Sequence, residues 1–359
     1  MRKLLRMKVL FITNRCPLYR LPVFEALSKR YHTFFIFTEK PFQGADSYGN
    51  LCYRTCTNRL TFVRTILQAD CDILISPFPI WDSLPTFLIM KLRRKRVVFW
   101  VEEWCEPLKI IRKLSRAFLQ YLSRHCNATV VSGTAAKNHM INYGASPQKI
   151  FLSPNSSHIE SPSSVKPSMQ TGKFIILYLG RLVKYKGADY LIRAFSMLEK
   201  TQKNVKLIVA GRGDFKEYLE SLTKELEVKN IEFVEVGSDI EKSYYFNLCN
   251  LFVLPSIWQP DLCEAWGMVL NEAMQFGKAV ITTDAVGAAP DLVKNGVNGF
   301  IVKNSDSDSL YHAMKRLIEN PELAKRMGEK SKELVNKQYT YEKMVQGFVN
   351  AISSTYKKI

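Results

Sequence analysis

The chain of 359 residues is 47% hydrophobic and 23% charged. At roughly 100–200 residues per domain it is long enough for two domains with separate cores, and this composition argues against long disorder, collagen-like repeats and a coiled coil. No apolar run approaches the ~20 residues that span a bilayer, and the basic first residues precede an apolar run too short for a signal-peptide core. We therefore expect a soluble or peripheral protein that is not secreted by this route.

Cysteine and histidine are dispersed along the chain. The eight cysteines include no Cys-x-x-Cys motif, and no two of the five histidines have the i, i+4 spacing of helical metal ligands. This cysteine pattern is typical of reduced, mostly buried thiols in a cytosol. The sequence indicates no metal site.

The net charge of +18 is concentrated in the first part of the chain. Residues 1–160 carry 24 Lys and Arg against 10 Asp and Glu (+14), whereas residues 161–359 carry 27 against 23 (+4). A basic amphipathic helix is predicted from four cations that recur at helical spacing beside apolar residues, namely Lys109, Arg112, Lys113 and Arg116.

Such a basic helical face suits an anionic membrane surface, where each basic residue contributes on the order of 1 kcal/mol. A solvated surface helix is one alternative. A nucleic-acid contact is another, but no nucleic-acid-binding motif accompanies the charge. We predict a cytoplasmic protein, peripheral on the inner face of the cell membrane, without a nucleic-acid partner.

Short apolar runs alternate with helical patterns from end to end. Because the runs are continuous, they are typical of strands buried on both faces. The first set of predicted strands is Val9–Thr13, Phe34–Phe37, Ile73–Ser76, Val97–Val101 and Ala128–Ser132. The second set is Phe174–Leu179, Val205–Ala210, Ile231–Val236, Leu251–Leu254, Ala279–Thr283 and Phe300–Val302. Strand–helix alternation predicts α/β architecture with parallel, doubly wound sheets.

The two sets of strands are separated by a stretch rich in Pro and Ser, Ser153–Ser168, which is the predicted linker. We therefore predict two α/β domains, residues 1–160 and residues 161–339, that face a central cleft. Ligands of such sheets bind beyond the carboxyl ends of the strands.

The first motif of the second domain runs from Gly180-Arg181 to Lys186-Gly187. A predicted strand leads into Gly180, two cations follow five positions apart, and a helical apolar pattern begins after Gly187. Two fixed cations at a strand-to-helix turn suit a diphosphate leaving group. Solvated loop cations are the alternative.

The second motif places two carboxylates, Glu264 and Glu272, on either side of Gly267. If a helix begins near Gly267, its free N–H groups form an anion site and Glu272 lies within the helix. A buried Glu272 needs hydrogen-bond donors, which the hydroxyls of a ribose would supply. The alternative is an exposed helical glutamate with an incidental loop glutamate.

Glycine-containing turns follow other predicted strands of this domain, at Gly211, Gly213 and Gly237. Singly, each is an ordinary loop. Together, their backbone N–H groups would line one sheet edge with donors for a nucleotide.

In this order and spacing, the motifs resemble the nucleotide-sugar half of retaining family 4 glycosyltransferases of the glycosyl transferases group 1 type. The resemblance covers nearly all of residues 173–340 and is weaker over residues 1–150. It implies a GT-B fold, with two Rossmann-like domains, and a metal-independent hexosyltransferase without a cofactor. The donor would be a nucleotide diphosphate sugar. The acceptor, bound by the first domain, would be a lipid-linked or cell-surface glycan in polysaccharide or glycolipid biosynthesis of the cell envelope.

The resemblance also implies roles for individual residues. Arg181 and Lys186 would hold the donor diphosphate and Glu264 would contact the transferred sugar, and these three are the predicted catalytic residues. The predicted donor-binding residues are Glu272 on the ribose, with Gly267, Met268, Val269, Gly180, Gly211, Gly213 and Gly237. A final helix at about 340–359 would pack back on the first domain.

The first domain departs from the family pattern after its first and fourth predicted strands. Asn14–Pro17 lacks the paired glycines of many relatives, and Glu102 and Glu103 stand where many relatives have a histidine. We expect Glu103 or Glu102 to supply a contact to the transferred sugar in place of that histidine, the alternative being a surface acidic pair. A nucleotide-sugar epimerase, a phosphorolytic enzyme of the same fold and a non-catalytic glycan-binding partner are the alternative functions.

Overall fold

A computed structural model describes residues 7–40, 48–78, 83–105, 110–159, 172–260 and 262–356. The chain divides into two compact units, Met1–Ser156 with Thr340–Ile359, and Ser157–Tyr339. These divisions at 156/157 and 339/340 compare with the predicted boundaries at 160/161 and 339/340. Most of the predicted linker lies outside the described residues.

Within the described residues, the first unit has seven parallel strands, and helices separate most of them along the chain. The strands are β1 (Lys8–Thr13), β2 (His32–Phe37), β3 (Tyr53–Thr55), β4 (Ile73–Pro77), β5 (Arg96–Val101), β6 (Ala128–Val131) and β7 (Ile150–Leu152). The helices are α1 (Leu21–Ser28), α2 (Arg59–Gln68), α3 (Ser83–Leu92), α4 (Ile110–His125) and α5 (Thr134–Asn142). The strand order is β3-β2-β1-β4-β5-β6-β7, so the order reverses between β1 and β4.

The second unit repeats this plan with six parallel strands. The strands are β8 (Phe174–Leu179), β9 (Val205–Ala210), β10 (Ile231–Val234), β11 (Leu251–Leu254), β12 (Ala279–Thr283) and β13 (Gly299–Val302). The helices are α6 (Ala188–Thr201), α7 (Lys216–Glu225), α8 (Asp239–Leu248), α9 (Met268–Gln275), α10 (Ala289–Leu292), α11 (Ser307–Ile318) and α12 (Pro321–Gln338). The order is β10-β9-β8-β11-β12-β13, and Leu251 of β11 pairs with both Ile176 and Ala279. The reversal between β8 and β11 makes their carboxyl ends the expected ligand edge.

All eleven predicted strands are present, and their continuous apolar character has the predicted cause. Residues 97–101, 251–254 and 279–283 are buried throughout, because helices cover both faces of each parallel sheet. Two strands were not predicted, β3 and β7. Each has three residues and lies at an edge of the first sheet, so neither contains a buried apolar run.

The last helix of the chain, α13 (Tyr341–Ser354), belongs to the first unit. Met344 and Phe348 are fully buried in a core that also contains Phe11, Phe24 and Trp100. Gly347 allows the close packing, since a Cβ there would lie 2.2 Å from the carbonyl oxygen of Leu152.

The cysteines are mostly buried, as expected, with Cys52 exposed. Free thiols are present at Cys16, Cys52, Cys56, Cys71, Cys126 and Cys249.

Candidate donor site of the second unit

The loops that follow β8 and β11 meet at the point where the strand order reverses. Gly187 ends the first of these loops with φ at +68°, and a Cβ there would lie 2.0 Å from the carbonyl oxygen of Pro255. A side chain at residue 187 is therefore excluded both by the backbone conformation and by the neighbouring loop. This close contact fixes the distance between the two predicted motifs of the site.

Lys186 and Glu264 form an ion pair across these loops. Lys186 lies at the end of a 3₁₀ turn and is 8% exposed, and its ammonium group donates to the Glu264 carboxylate. The Ser256 hydroxyl donates to the same carboxylate oxygen over 3.3 Å. The backbone of Glu264 is held from the next loop, where the Gly287 N–H donates to its carbonyl over 2.9 Å. The structure thus brings together two of the three predicted catalytic residues.

Arg181, the third predicted catalytic residue, is exposed and is oriented by two tyrosines. Its guanidinium group donates to the Tyr185 hydroxyl, and its carbonyl accepts from the Tyr178 hydroxyl over 2.8 Å. Burial, reinforced by the Glu264 carboxylate, raises the pKa of Tyr178, so this phenol remains a neutral donor. Tyr185 also contacts the second cation, since the Lys186 ammonium lies 5.5 Å from the centre of its ring.

The helix predicted to begin near Gly267 is α9. Gly267 is its N-cap in a left-handed conformation, and no side chain caps the helix. The first helical residues, Met268 and Val269, are half-buried. Behind them the indole of Trp266 donates to the buried Asn271 side chain over 2.8 Å, which ties the approach loop to the helix. The uncapped N–H groups and the helix dipole favour an anion here.

Glu272 is buried inside α9, as the sequence predicts, but it has partners within the protein. Its carboxylate accepts from the Ser157 hydroxyl over 3.1 Å and lies 3.6 Å from the Lys242 ammonium on α8. Burial raises the pKa of Glu272, whereas Lys242 and Ser157 act in the opposite direction. Sequence reasoning missed both partners, because neither lies within one helical turn of Glu272.

The glycine turns of this unit contribute to its packing, and their N–H groups donate hydrogen bonds within the protein. The N–H groups of Gly180 and Gly211 donate to the carbonyls of Ala210 and Val234, and that of Gly237 donates to Glu241. The expectation that the N–H groups of Gly211 and Gly237 face a nucleotide is therefore not supported. Gly211 instead allows close approach, since a Cβ there would lie 1.9 Å from the carbonyl oxygen of Gly180. Gly213 lies in the same turn.

In the first unit, Glu102 follows β5 and is held on both sides. One carboxylate oxygen pairs with Arg20 and the other accepts from the Asn155 side chain over 2.6 Å. Arg20 is itself buried, with its guanidinium 4.5 Å from the centre of the Trp100 ring. Glu102 is thus part of an internal network rather than of a surface acidic pair, and the adjacent Glu103 is half-buried.

The predicted basic helix corresponds to α4, but Lys109 and the side chains of Arg112 and Lys113 lie outside what the structure describes. Among the described side chains of α4, Leu119 and Leu122 are buried while Arg116 and Arg124 are exposed, so this part of the helix is amphipathic. Within the described ranges, none of the helices has the length and apolar character needed to span a bilayer. Those ranges also contain no group of three or more His, Cys, Asp or Glu side chains that could hold a metal ion.

Residues 162–334 match the family model described as glycosyl transferases group 1. These residues belong to that family. A Haemophilus influenzae protein named uncharacterized glycosyltransferase is 29% identical over 203 residues, which are 55% of this chain and 55% of the relative. A Salmonella typhimurium lipopolysaccharide 1,2-N-acetylglucosaminetransferase is 28% identical over 193 residues, 51% of this chain and 49% of the relative. The chain thus spans about half the length of the curated relatives it matches.

Among solved structures, Anabaena HepE, crystallised with UDP and glucose, superposes with a TM-score of 0.77 at 19% identity. The superposition covers 97% of this chain and 100% of HepE. A likeness of this extent shows the fold, which is GT-B with two parallel, Rossmann-like sheets.

The residues that match the group 1 family contain the predicted donor-site side chains, whereas Ser157, which donates to Glu272, lies just before them. Arg181, Lys186, Glu264 and Glu272 all lie in the matched residues, and so does Lys242. The Glu102 network and α4 lie outside them.

Proposed function

We propose that this protein is a retaining hexosyltransferase that uses a nucleotide diphosphate sugar. The acceptor is a lipid-linked or cell-surface glycan in polysaccharide or glycolipid biosynthesis. The observation that carries the proposal is the Lys186–Glu264 pair at the reversal of strand order, beside Arg181 and the uncapped start of α9. Family membership supports glycosyl transfer, and the relative named for lipopolysaccharide supports a surface glycan as acceptor.

We assign roles to these groups according to where negative charge develops during the transfer reaction. As the bond between the sugar and the diphosphate breaks, negative charge grows on the departing phosphate oxygen. The Arg181 guanidinium, the Lys186 ammonium and the N-terminus of α9 stabilise that charge without a metal ion. Glu264 contacts the transferred sugar. The acceptor hydroxyl forms the new glycosidic bond on the face from which the phosphate leaves, and its proton passes to that phosphate oxygen.

Lys186 and Glu264 form an ion pair and so neutralise each other. A donor diphosphate competes with Glu264 for the Lys186 ammonium, and the carboxylate is then freed to accept from sugar hydroxyls. The pair therefore holds both groups in place before the donor binds, which reduces the entropic cost of assembling the site.

The test is turnover with a panel of nucleotide diphosphate hexoses and glycan acceptors, read by nucleotide release and by the anomeric configuration of the product. We expect release that depends on the acceptor, retention of configuration, and loss of turnover in Lys186→Ala. Lys206→Ala is the matched control, because Lys206 pairs with Glu232 elsewhere in the same unit. Inverted product contradicts retention, and full activity of folded Lys186→Ala contradicts the donor site.

We also propose that the protein acts at an anionic membrane surface, with α4 among the contacting elements. The +14 charge of residues 1–160 and the exposed Arg116 and Arg124 support this. Co-sedimentation with anionic vesicles should weaken with salt and in the double variant Arg116→Glu, Arg124→Glu. The charge-matched control is Lys325→Glu, Arg326→Glu, on the exposed face of α12. Equal binding to neutral vesicles overturns the proposal.

A further inference from the structure

The buried carboxylate of Glu272 has a cationic neighbour on a different helix. Lys242 of α8 places its ammonium 3.6 Å from the Glu272 carboxylate and 3.1 Å from Asp239 on its own helix. The Lys242 side chain is 30% exposed, whereas that of Glu272 is 10% exposed. A partly hydrated cation therefore reaches a carboxylate that is largely removed from water.

The ionisation of Glu272 decides what this carboxylate can bind. An ionised carboxylate accepts hydrogen bonds through both oxygens and can take two neighbouring hydroxyls, whereas the protonated form uses one oxygen as a donor. Burial favours the protonated form and raises the pKa of Glu272. A cation within a few ångströms opposes that effect.

The second contact to the carboxylate is a hydroxyl and not a charge. Ser157 donates to Glu272 and fixes its direction, but it cannot neutralise the buried anion. Lys242 can neutralise it: burial lowers the pKa of Lys242, but the Glu272 and Asp239 carboxylates raise it by more, so the ammonium stays protonated at neutral pH.

We propose that Lys242 is a positioning residue of the donor site, which keeps Glu272 ionised and oriented for the vicinal hydroxyls of a ribose. This inference rests on the proposed function, in which Glu272 binds the nucleoside. Lys242 acts through Glu272, and its removal changes nucleotide affinity in a pH-dependent way.

Two groups of opposite charge face Glu272, so we expect substitutions at these two positions to shift its pKa in opposite directions. Lys242 lowers the pKa of the carboxyl group and Asp239 raises it, both from α8. Nucleotide affinity is full above the pKa of Glu272 and falls as the pH drops through it. Lys242→Met should therefore move this fall to higher pH, and Asp239→Asn should move it to lower pH.

The experiment is calorimetric titration with UDP between pH 5 and pH 8. Lys242→Met should weaken UDP binding at pH 7, by at most about tenfold for each unit by which the carboxyl pKa rises, and less at pH 8. Lys242→Arg should restore the wild-type profile. Lys206→Met is the control for removing a paired lysine from this unit, and it should match wild type. Ionisation of the UDP phosphates is common to all variants and cancels in their ratios.

Glu272→Gln separates this inference from the function on which it rests. If Glu272→Gln binds UDP as tightly as wild type, the ribose role of Glu272 fails, and the proposed donor site with it. If Glu272→Gln weakens binding but Lys242→Met leaves the pH profile unchanged, the inference about Lys242 alone is wrong. An equal loss at every pH in Lys242→Met also overturns it, because a merely structural role would give that result.

Discussion

At the residue scale, the orientation of Arg181 depends on the hydroxyl of Tyr185. Tyr185→Phe keeps the buried ring but removes the acceptor, so the exposed guanidinium loses its fixed position. We expect UDP affinity to fall about three- to tenfold, since hydrogen bonds to charged groups are strong but solvent weakens this one. Affinity for uridine, which has no diphosphate, should not change. Calorimetry with both ligands tests this, with Tyr190→Phe as control, and equal losses for UDP and uridine contradict it.

At this scale, the sequence predicts local arrangements whose residues are close along the chain. Arg181, Lys186 and Gly187 lie on one continuous loop between β8 and α6, so residue type and spacing were sufficient to predict that loop. The partners of Glu272 were not predictable, because Ser157 lies 115 positions away and only the folded chain brings it near. The position of the Glu241 carboxylate was predictable in principle, since Ser238-x-x-Glu241 has the pattern of a helix capping box, in which Glu241 accepts from the Ser238 N–H.

At the scale of elements, the contact between the loops after β8 and β11 is testable through glycine. Gly187 and Gly296 both have positive φ, but a Cβ at Gly296 would meet nothing within 4 Å. Gly296→Ala should therefore lower the free energy of unfolding by about 1 kcal/mol, for backbone strain alone. Gly187→Ala should cost about 3 kcal/mol or more and weaken UDP binding, because the loops must separate. Urea unfolding measures both, and equal costs would show that the loop contact is unimportant.

Strand prediction succeeded where burial on both faces produced a continuous apolar run and failed at the edges of the first sheet. Tyr53–Thr55 has half-buried and exposed positions, and Ile150–Leu152 is likewise without a fully buried residue. Pairing with a neighbouring strand, which a single sequence does not display, defines these two strands. The prediction of the donor site did not depend on these edge strands, because the loops of that site follow central strands.

At the scale of the whole molecule, each unit has its own hydrophobic cores on the two faces of its sheet. One core of the first unit includes residues of α13, although this helix follows the second unit in the chain. Its apolar periodicity indicates a helix, but periodicity does not state which sheet the helix covers. The expectation that it packs on the first domain therefore came from the family resemblance alone.

Because the two units have separate cores, we expect bound nucleotide to stabilise only the unit that binds it. Phe348 and Phe195 are fully buried in the first and second units, and truncating either to alanine should cost about 3–5 kcal/mol. Phe348→Ala should lower the unfolding temperature of the first unit, and Phe195→Ala that of the second. UDP at 100 times its dissociation constant adds about 2.7 kcal/mol to whichever unit binds it. Scanning calorimetry should therefore show that UDP raises the transition lowered by Phe195→Ala and leaves the one lowered by Phe348→Ala unchanged. The opposite pattern would place the nucleotide on the first unit and contradict the donor site.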